Sequence, residues 1–310
     1  MQRAGTLPRP YNERSIETPN DLASPPDPLS EKREGETNGC DVSRPYMVFV
    51  LGVMVALILS ACAVTRTPTI MRVALLAPFE GRYREIGYNA LYAARLAFAE
   101  IGVRDVELMP IDDGGSVETA VLRARALTYD PQVMGAIVLG YQASDPRVQA
   151  AFGDIPHIIV GRWTDARSGD LTFIVSSAEI DTPLAPVTAP IDTPYEGGDV
   201  FLLEGARRLR ESMDGVTVIT SGGLPDADFV ERYKAGNGFA PEPNPLATLT
   251  YDAAALMIRA AQMGDRAGAY RLIGEGSYNG LNGVIAFEDD GYWLNAPIHR
   301  YRYTMDGWVE

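Results

Sequence analysis

Cysteine and histidine are scarce: the 310 residues contain two of each, Cys40 and Cys62, His157 and His299. Both cysteines fall in the first fifth of the chain, so nothing after Val64 can form a disulfide, a thiolate metal site or a cysteine nucleophile. With two histidines, metal and triad chemistry have little to draw on. Positive charge is also short. The 27 Lys and Arg stand against 41 Asp and Glu, a net charge of −14, which argues against a nucleic-acid partner because phosphate backbones require clustered Lys and Arg. What is present is apolar: 46% of residues are hydrophobic and 22% charged, enough for a sizeable core. At roughly 100 to 200 residues per domain the length accommodates two domains, or one large one, with appendages.

Residues 1–46 hold seven of the 22 prolines and many charges but no periodic apolar stripe. Such a segment cannot bury enough apolar surface to offset the entropy of ordering it. It reads as a disordered N-terminal extension, or as the product of a translation start upstream of Met47. Met47 to Val64 then runs 18 residues without a charge, preceded by Arg44. As a helix it would be about 27 Å long, just enough for a hydrocarbon core of about 30 Å. Its end, Leu59-Ser60-Ala61-Cys62, resembles the bacterial lipobox, in which small residues before a cysteine permit signal-peptidase cleavage and a diacylglycerol thioether forms on that cysteine. Residues 47–62 are thus a lipoprotein signal peptide with Cys62 lipidated, or an uncleaved anchor in which Cys62 is incidental. Either places the rest of the chain on the outer face of the cytoplasmic membrane, with 63–69 as tether.

From Ile70 short apolar runs alternate with amphipathic helices. Arg72 to Ala77, Val106 to Ile111, Met134 to Leu139 and His157 to Val160 read as strands. Between them lie helical patterns over Glu85 to Ile101, from a Ser116 cap through Leu127, and from an Asp145-Pro146 start to Phe152. Four strands alternating with three helices predict an α/β fold with a doubly wound parallel sheet, whose ligands sit beyond the carboxyl ends of the strands. Residues 165–198, with Pro183, Pro186, Pro190, Pro194, Gly197 and Gly198, read as an irregular connection. Beyond it the pattern predicts a helix over Val200 to Glu211 and a strand over Val216 to Thr220. Helices follow from Asp226 and from Asn244-Pro245 to Met263, then antiparallel strands turned at Asp290-Gly291 and Asp306-Gly307.

Three stretches carry a family resemblance. The first is Val73-Ala74-Leu75-Leu76-Ala77-Pro78-Phe79-Glu80-Gly81 with Gly87 and an Ala-rich helix; the second is Asp112-Asp113-Gly114-Gly115 with the strand ending at Gly140. The third runs from Asp228 to Lys234, through Gly238 to Pro243 and Tyr251-Asp252-Ala253, to Tyr278-Asn279-Gly280-Leu281-Asn282-Gly283 and Asp306-Gly307-Trp308. The chain resembles the type I periplasmic binding proteins, specifically the leucine/isoleucine/valine-binding-protein-like receptors of ABC importers. That resemblance implies a two-lobed fold: lobe one over 70–164 and a smaller, truncated second α/β lobe over 199–310, the family's further βα units of about 30 residues each being absent between them. It also implies an extracytoplasmic solute-binding lipoprotein for an amino acid or similar small polar ligand, with ABC permease subunits as partners, no cofactor and no enzymatic activity. The alternative is a shortened relative serving as a sensor or protein-interaction module.

Carried over by position, the resemblance places ligand groups on three loops: Phe79, Glu80 and Gly81; Gly140, Tyr141, Gln142, Ala143 and Ser144; and Gly161, Arg162, Trp163 and Thr164. Free N–H groups at the helix start after Ser144 suit a carboxylate, and Tyr141 and Trp163 offer apolar walls with polar tips. Family members usually carry small residues there, so the bulk of Arg162 and Trp163 marks a changed or partly filled site. From the second lobe, Tyr195, Glu196 and Asp199 are the polar candidates; Glu196 or Asp199 could pair with a ligand ammonium, or the three could form a solvated Gly-Gly turn. Other motifs fall short. Asp112-Asp113 and Glu288-Asp289-Asp290 lack calcium-loop spacing and read as solvated turns. Gly274-Glu275-Gly276 lacks the third glycine of a dinucleotide loop, and Ser221-Gly222-Gly223 is no nucleophile elbow.

The tether reading yields a direct test. Mature protein is expected to begin at a diacylated Cys62, and Cys62→Ser to leave an unprocessed precursor. Intact-mass analysis of membrane-extracted protein that returned an unlipidated chain keeping Met47 to Ala61 would establish an anchor helix instead.

Overall fold

The computed structural model describes residues 49–54, 70–164, 167–180, 196–203, 215–304 and 307–310. The chain divides into two units, Met1–Val64 and Thr65–Glu310. In the first, residues 49–54 are helical; Cys40, Cys62, the tether and the rest of the apolar stretch lie outside the described residues. Among the described residues no helix is long and apolar enough to cross a membrane.

The second unit is built on a five-stranded parallel sheet in the order β2-β1-β3-β4-β5, formed by β1 Met71–Ala77, β2 Val106–Asp112, β3 Val133–Val138, β4 His157–Val160 and β5 Thr172–Val175. All six residues of β3 and all four of β4 are buried, as continuous apolar runs require when both faces of a parallel sheet are covered. The crossover helices are α1 Arg84–Ile101, α2 Val117–Thr128 and α3 Pro146–Ala151. Ser116 Oγ accepts from Thr119 N to cap α2, and Asp145 caps α3 with Pro146 in its first turn. Helix α1 starts tight against the loop after β1: a Cβ on Gly87 would lie 2.1 Å from the Pro78 carbonyl oxygen, so only glycine permits that approach.

Strand β5 corrects the sequence reading, which gave 165–198 no regular element. Its four buried residues run parallel to β4, Phe173 opposite Ile158. The run is short and lies among turn-forming residues, so its apolar character was diluted in any longer window. Its outer edge is partly paired with a later segment: Ile174 N donates to Gly291 O and Trp293 N to Ile174 O, which blunts that edge as a template for strand pairing.

A second correction concerns the expected lobe boundary at 199. Helices α4 Ala227–Ala235, α5 Pro245–Ala261 and α6 Arg266–Glu275 return to the first sheet. Fifteen of the 17 residues of α5 are buried; it packs on α1, on β1, β3 and β4, and on α6. A helix apolar on nearly every side must be enclosed on nearly every side, and here α1 and the sheet enclose it. Gly135 makes this possible, since a Cβ there would meet Met257 Sδ at 2.3 Å. Helix α4 packs through Phe229 and Tyr233 against Ala93 of α1 and Ala247 of α5. Helix α6 was not anticipated; Arg266 fastens it by donating to Val133 O, Asp130 O and Asp154 Oδ1 at 2.9, 2.7 and 2.6 Å.

The second sheet is therefore small, in the order β11-β10-β7-β6: β6 Glu196–Gly197, β7 Thr217–Thr220, β10 His299–Thr304 and β11 Gly307–Val309. Within Val200 to Glu211, read as helical from sequence, the described part belongs to a 3-10 turn, Asp199–Leu202; the remainder lies outside the described residues. The hairpin β8 Tyr278–Gly280 and β9 Gly283–Ile285 closes the first core, with Tyr278 and Ile285 buried in it. Its turn is held by Asp252 of α5, whose carboxylate accepts from Leu281 N, Asn282 N and Asn282 Nδ2 at 2.7, 2.9 and 2.8 Å.

Asp252 is fully buried, so removing its carboxylate strands several donors. Asp252→Ala is expected to destabilise the protein by about 3 kcal/mol, since hydrogen bonds to a charged group contribute roughly 1.5 to 3 kcal/mol. Asp252→Asn should cost less. Urea denaturation checks both; a change below about 0.5 kcal/mol for the alanine variant would show that the turn holds without Asp252.

Candidate functional site

The loops singled out by sequence all leave the carboxyl edge of the first sheet, after β1, β3 and β4, and the structure brings them together through aromatic contacts. Tyr83, in the 3-10 turn after Glu80, meets Tyr141 edge-on with ring centroids 5.5 Å apart, and Tyr141 meets Trp163 at 5.3 Å and 82°. Such edge-to-face pairs contribute about 0.5 to 1.5 kcal/mol beyond area burial. Phe79 and Tyr141 are half-buried, Glu80 and Gly81 exposed, and Gly140, Ala143 and Ser144 buried. Gln142, Arg162 and Thr164 lie at intermediate depth.

Backbone geometry at the rim has identifiable anchors. Asp112 Oδ1 accepts from Phe79 N and Glu80 N at 2.7 and 3.2 Å, and its Oδ2 from Gly114 N; Asp113 beside it is buried, with its carboxyl raised above the usual range by burial first and the Asp112 charge last. The pair is thus a loop anchor and a buried group, not the solvated turn read from sequence. Gly140 and Gly161 take φ of +93° and +85°, the left-handed turns that let β3 and β4 end abruptly at the rim. Ser144 Oγ is fully buried with no hydrogen-bond partner, and a buried hydroxyl in that condition costs free energy until something bonds it.

Trp163 differs from the expected pocket wall. It is 3% exposed and its indole N–H donates to Val160 O at 2.7 Å: the ring belongs to the core beneath Tyr141, so Tyr141 is the aromatic face left at the surface. Arg162 lies with its guanidinium carbon 5.0 Å from the Tyr292 ring centroid. Its backbone N–H donates to Asp199 Oδ2 at 2.8 Å. Asp199 is therefore neither a solvated loop residue nor open to a ligand ammonium; it is 2% exposed and joined on its other oxygen to Thr220 Oγ1.

Glu196 is not brought to these loops. It is exposed, pairs with Arg300 Nη1 at 2.8 Å and lies opposite Thr217 at the start of β7. Asp199 meets Thr220 at the end of β7, three strand residues or roughly 10 Å away. Tyr195 lies outside the described residues. The rim groups that sequence reading missed are Tyr83, Asp112 and Tyr292; only the Asp112-Asp113 pair carried a signal, and its partners are loop N–H groups that no spacing displays.

Neither histidine belongs to the site. His157 is buried in β4, bonded to Ile155 O and Thr172 Oγ1, and burial lowers its pKa to about 4, so it is neutral. His299 stacks on Tyr301 with Nδ1 at 3.1 Å from Glu310. Among the described residues no group of three or more His, Cys, Asp and Glu could hold a metal ion.

No family model matches the chain, and no curated protein sequence matches it. Solved structures do. An extracellular ligand binding receptor from Desulfohalobium retbaense superimposes with a TM-score of 0.63 at 16% identity, over 77% of this chain and 59% of that one; the chain thus spans about three fifths of that receptor's length. The leucine binding protein LivK from Thermotoga maritima gives 0.61 at 14% identity over 77% and 97% of the two chains. A solute binding protein of an ABC transporter from R. palustris, in complex with benzoate, gives 0.60 at 14% over 77% and 95%. The fold is that of the type I periplasmic binding proteins. Among the described residues the second sheet is the smaller part, with a two-residue β6 and a four-residue β7.

The buried position of Trp163 generates a prediction. Trp163→Ala is expected to cost about 3 to 5 kcal/mol, as large-to-small changes of a buried aromatic do. Tyr141→Ala, at the surface of the same stack, should cost less than about 1.5 kcal/mol. Thermal and urea unfolding of the two variants will separate them, and equal losses would show that Tyr141 also belongs to the core.

Proposed function

We propose that this protein is an extracytoplasmic solute-binding lipoprotein of an ABC importer, tethered at Cys62 to the outer face of the membrane and delivering an amino acid or similar small polar ligand to permease subunits. The observation that carries the reading is the rim of the first sheet. Three loops converge there with a half-buried aromatic face, Tyr141, beside the buried and unbonded Ser144 hydroxyl. The fold is shared with proteins described as a leucine binding protein and as a benzoate-bound solute binding protein. Both ligands carry a carboxylate on a compact apolar body. In this reading Phe79, Glu80, Gly81, Gly140, Tyr141, Gln142, Ala143, Ser144, Gly161, Arg162 and Thr164 frame the ligand; Trp163 supports Tyr141 from below; and Glu196 takes no part. His157, buried in β4 and neutral, takes no part in this reading.

A thermal-shift panel of amino acids and small carboxylates on the full chain tests this. A ligand at 100 times its Kd stabilises the native state by about 2.7 kcal/mol, a shift of several degrees for a chain of this size. For the compound giving the largest shift, Tyr141→Ala is expected to weaken binding at least about tenfold with an unchanged far-UV spectrum. No shift from any compound at millimolar concentration would argue against a solute-binding role. A shift that survives Tyr141→Ala intact would move the ligand off this rim.

A further inference from the structure

The two sheets meet at Asp199. It opens the 3-10 turn that follows β6 and is 2% exposed. One carboxyl oxygen faces the first sheet and accepts the Arg162 N–H at 2.8 Å; the other lies 2.5 Å from Thr220 Oγ1 at the end of β7. The approach requires Gly161, because a Cβ there would sit 2.9 Å from Asp199 Oδ2. Two further polar contacts flank it without carrying charge: Ser177 N donates to Ser221 Oγ, and Gly223 N to Asn282 Oδ1.

We propose that Asp199 is a latch: its carboxyl group holds the second sheet on the rim of the first when protonated, and the hold loosens when the proton is released to solvent. The inference is independent of any ligand. A neutral carboxyl can keep both contacts without a buried charge, its O–H donating to Thr220 Oγ1, which also accepts from Gly222 N at 3.1 Å, while the other oxygen accepts from Arg162 N. An ionised one leaves a buried charge with two neutral donors and no cation, which is the costly condition for a carboxylate. Among the described residues the surrounding elements offer no compensation. Strand β7, Thr217–Thr220, has no ionisable side chain. The α5 start packs Leu246 at this point, and Tyr251, its first ionisable residue, is bonded to Glu100. On the loop after β4, the Arg162 guanidinium lies over Tyr292. Burial accordingly raises the Asp199 carboxyl above the usual range, against the two hydrogen bonds that lower it.

The sign follows from linkage. A carboxyl raised in the latched form keeps its proton at a pH where the open form has lost it, so latching weakens as pH rises from the ordinary carboxylate range through the raised value, and then levels off. Hydrogen–deuterium exchange of the full chain, read on a peptide containing Arg162 and corrected for intrinsic rate, measures this. Exchange is expected to be faster at about pH 8 than at about pH 4. Asp199→Asn, a neutral isostere, should stay protected across the range, and Asp199→Ala should exchange fast throughout. A flat wild-type profile overturns the proposal, as does an Asp199→Asn profile that follows wild type. So does a parallel rise in a β3 peptide, which would mean global unfolding. If Asp199→Ala fails to fold, the wild-type and Asp199→Asn profiles decide the matter.

Discussion

Enclosure of α5 is the constraint on which the rest of the structure depends. Fifteen of its residues are buried between α1 and the parallel sheet, although it is supplied more than 80 residues after the sheet's fourth strand has ended. The first core cannot close until the chain has left it, built what it builds of the second sheet and come back. Alanine makes the fit possible. Ala90, Ala94 and Ala97 of α1 and Ala253, Ala254 and Ala260 of α5 are all fully buried, and such small side chains let helix backbones pack closely at native density. Arg266 and Asp252 then fix the returning segment at its two ends, one by donating to carbonyls near the sheet's amino edge, the other by accepting N–H groups of the β8–β9 turn.

What could be read from the sequence divides along this line. Several elements whose partners are near in sequence are legible: β1 to β4 as apolar runs, α2 and α3 from their Ser116 and Asp145 caps, the turn at Asp290-Gly291. These depend on local periodicity and capping chemistry, which a linear pattern displays. The placement of α4 to α6 on the first sheet depends instead on which surface is left uncovered, and no residue of α5 states that. The apolar circumference of α5 was itself a signal, since a helix packing on one small sheet needs only one apolar stripe. Strand β5 was lost for a different reason: four residues among turn formers are too short a run to carry their own period.

At the rim the same division holds. The loops after β1, β3 and β4 leave the carboxyl edge of the first sheet as the sequence pattern predicts, because strand ends are local features. Their internal roles were less legible. Trp163 reads as a pocket wall when its exposure is unknown and becomes core once Val160 O is seen to take its N–H. Asp112 and Asp199 read as solvated turn residues because both lie in glycine-containing turns, yet each accepts backbone N–H groups from a segment about 30 to 40 residues away. Acid-glycine pairs mark turns in general. Whether the acid faces water or a distant amide is decided by the packing of the other strand.

The reduced second sheet bears on how any ligand would be held. A receptor of two full lobes can open and close as two cores joined by a hinge. Here, among the described residues, β6 and β7 supply two and four residues, and Val200, Phe201, Leu202, Val216 and Val218 belong to the same apolar cluster as β1, β3 and α5. Separating the sheets would therefore expose core side chains, each worth roughly 1.5 to 3 kcal/mol when fully buried, as well as break the contacts at Asp199, Ser177 and Gly223. A hinge motion that unburied even three such residues would cost more than most small ligands return through differential binding to one state. Under the proposed function, selectivity would then rest on the rim of the first sheet, with rearrangement confined to side chains and to the polar contacts between the sheets.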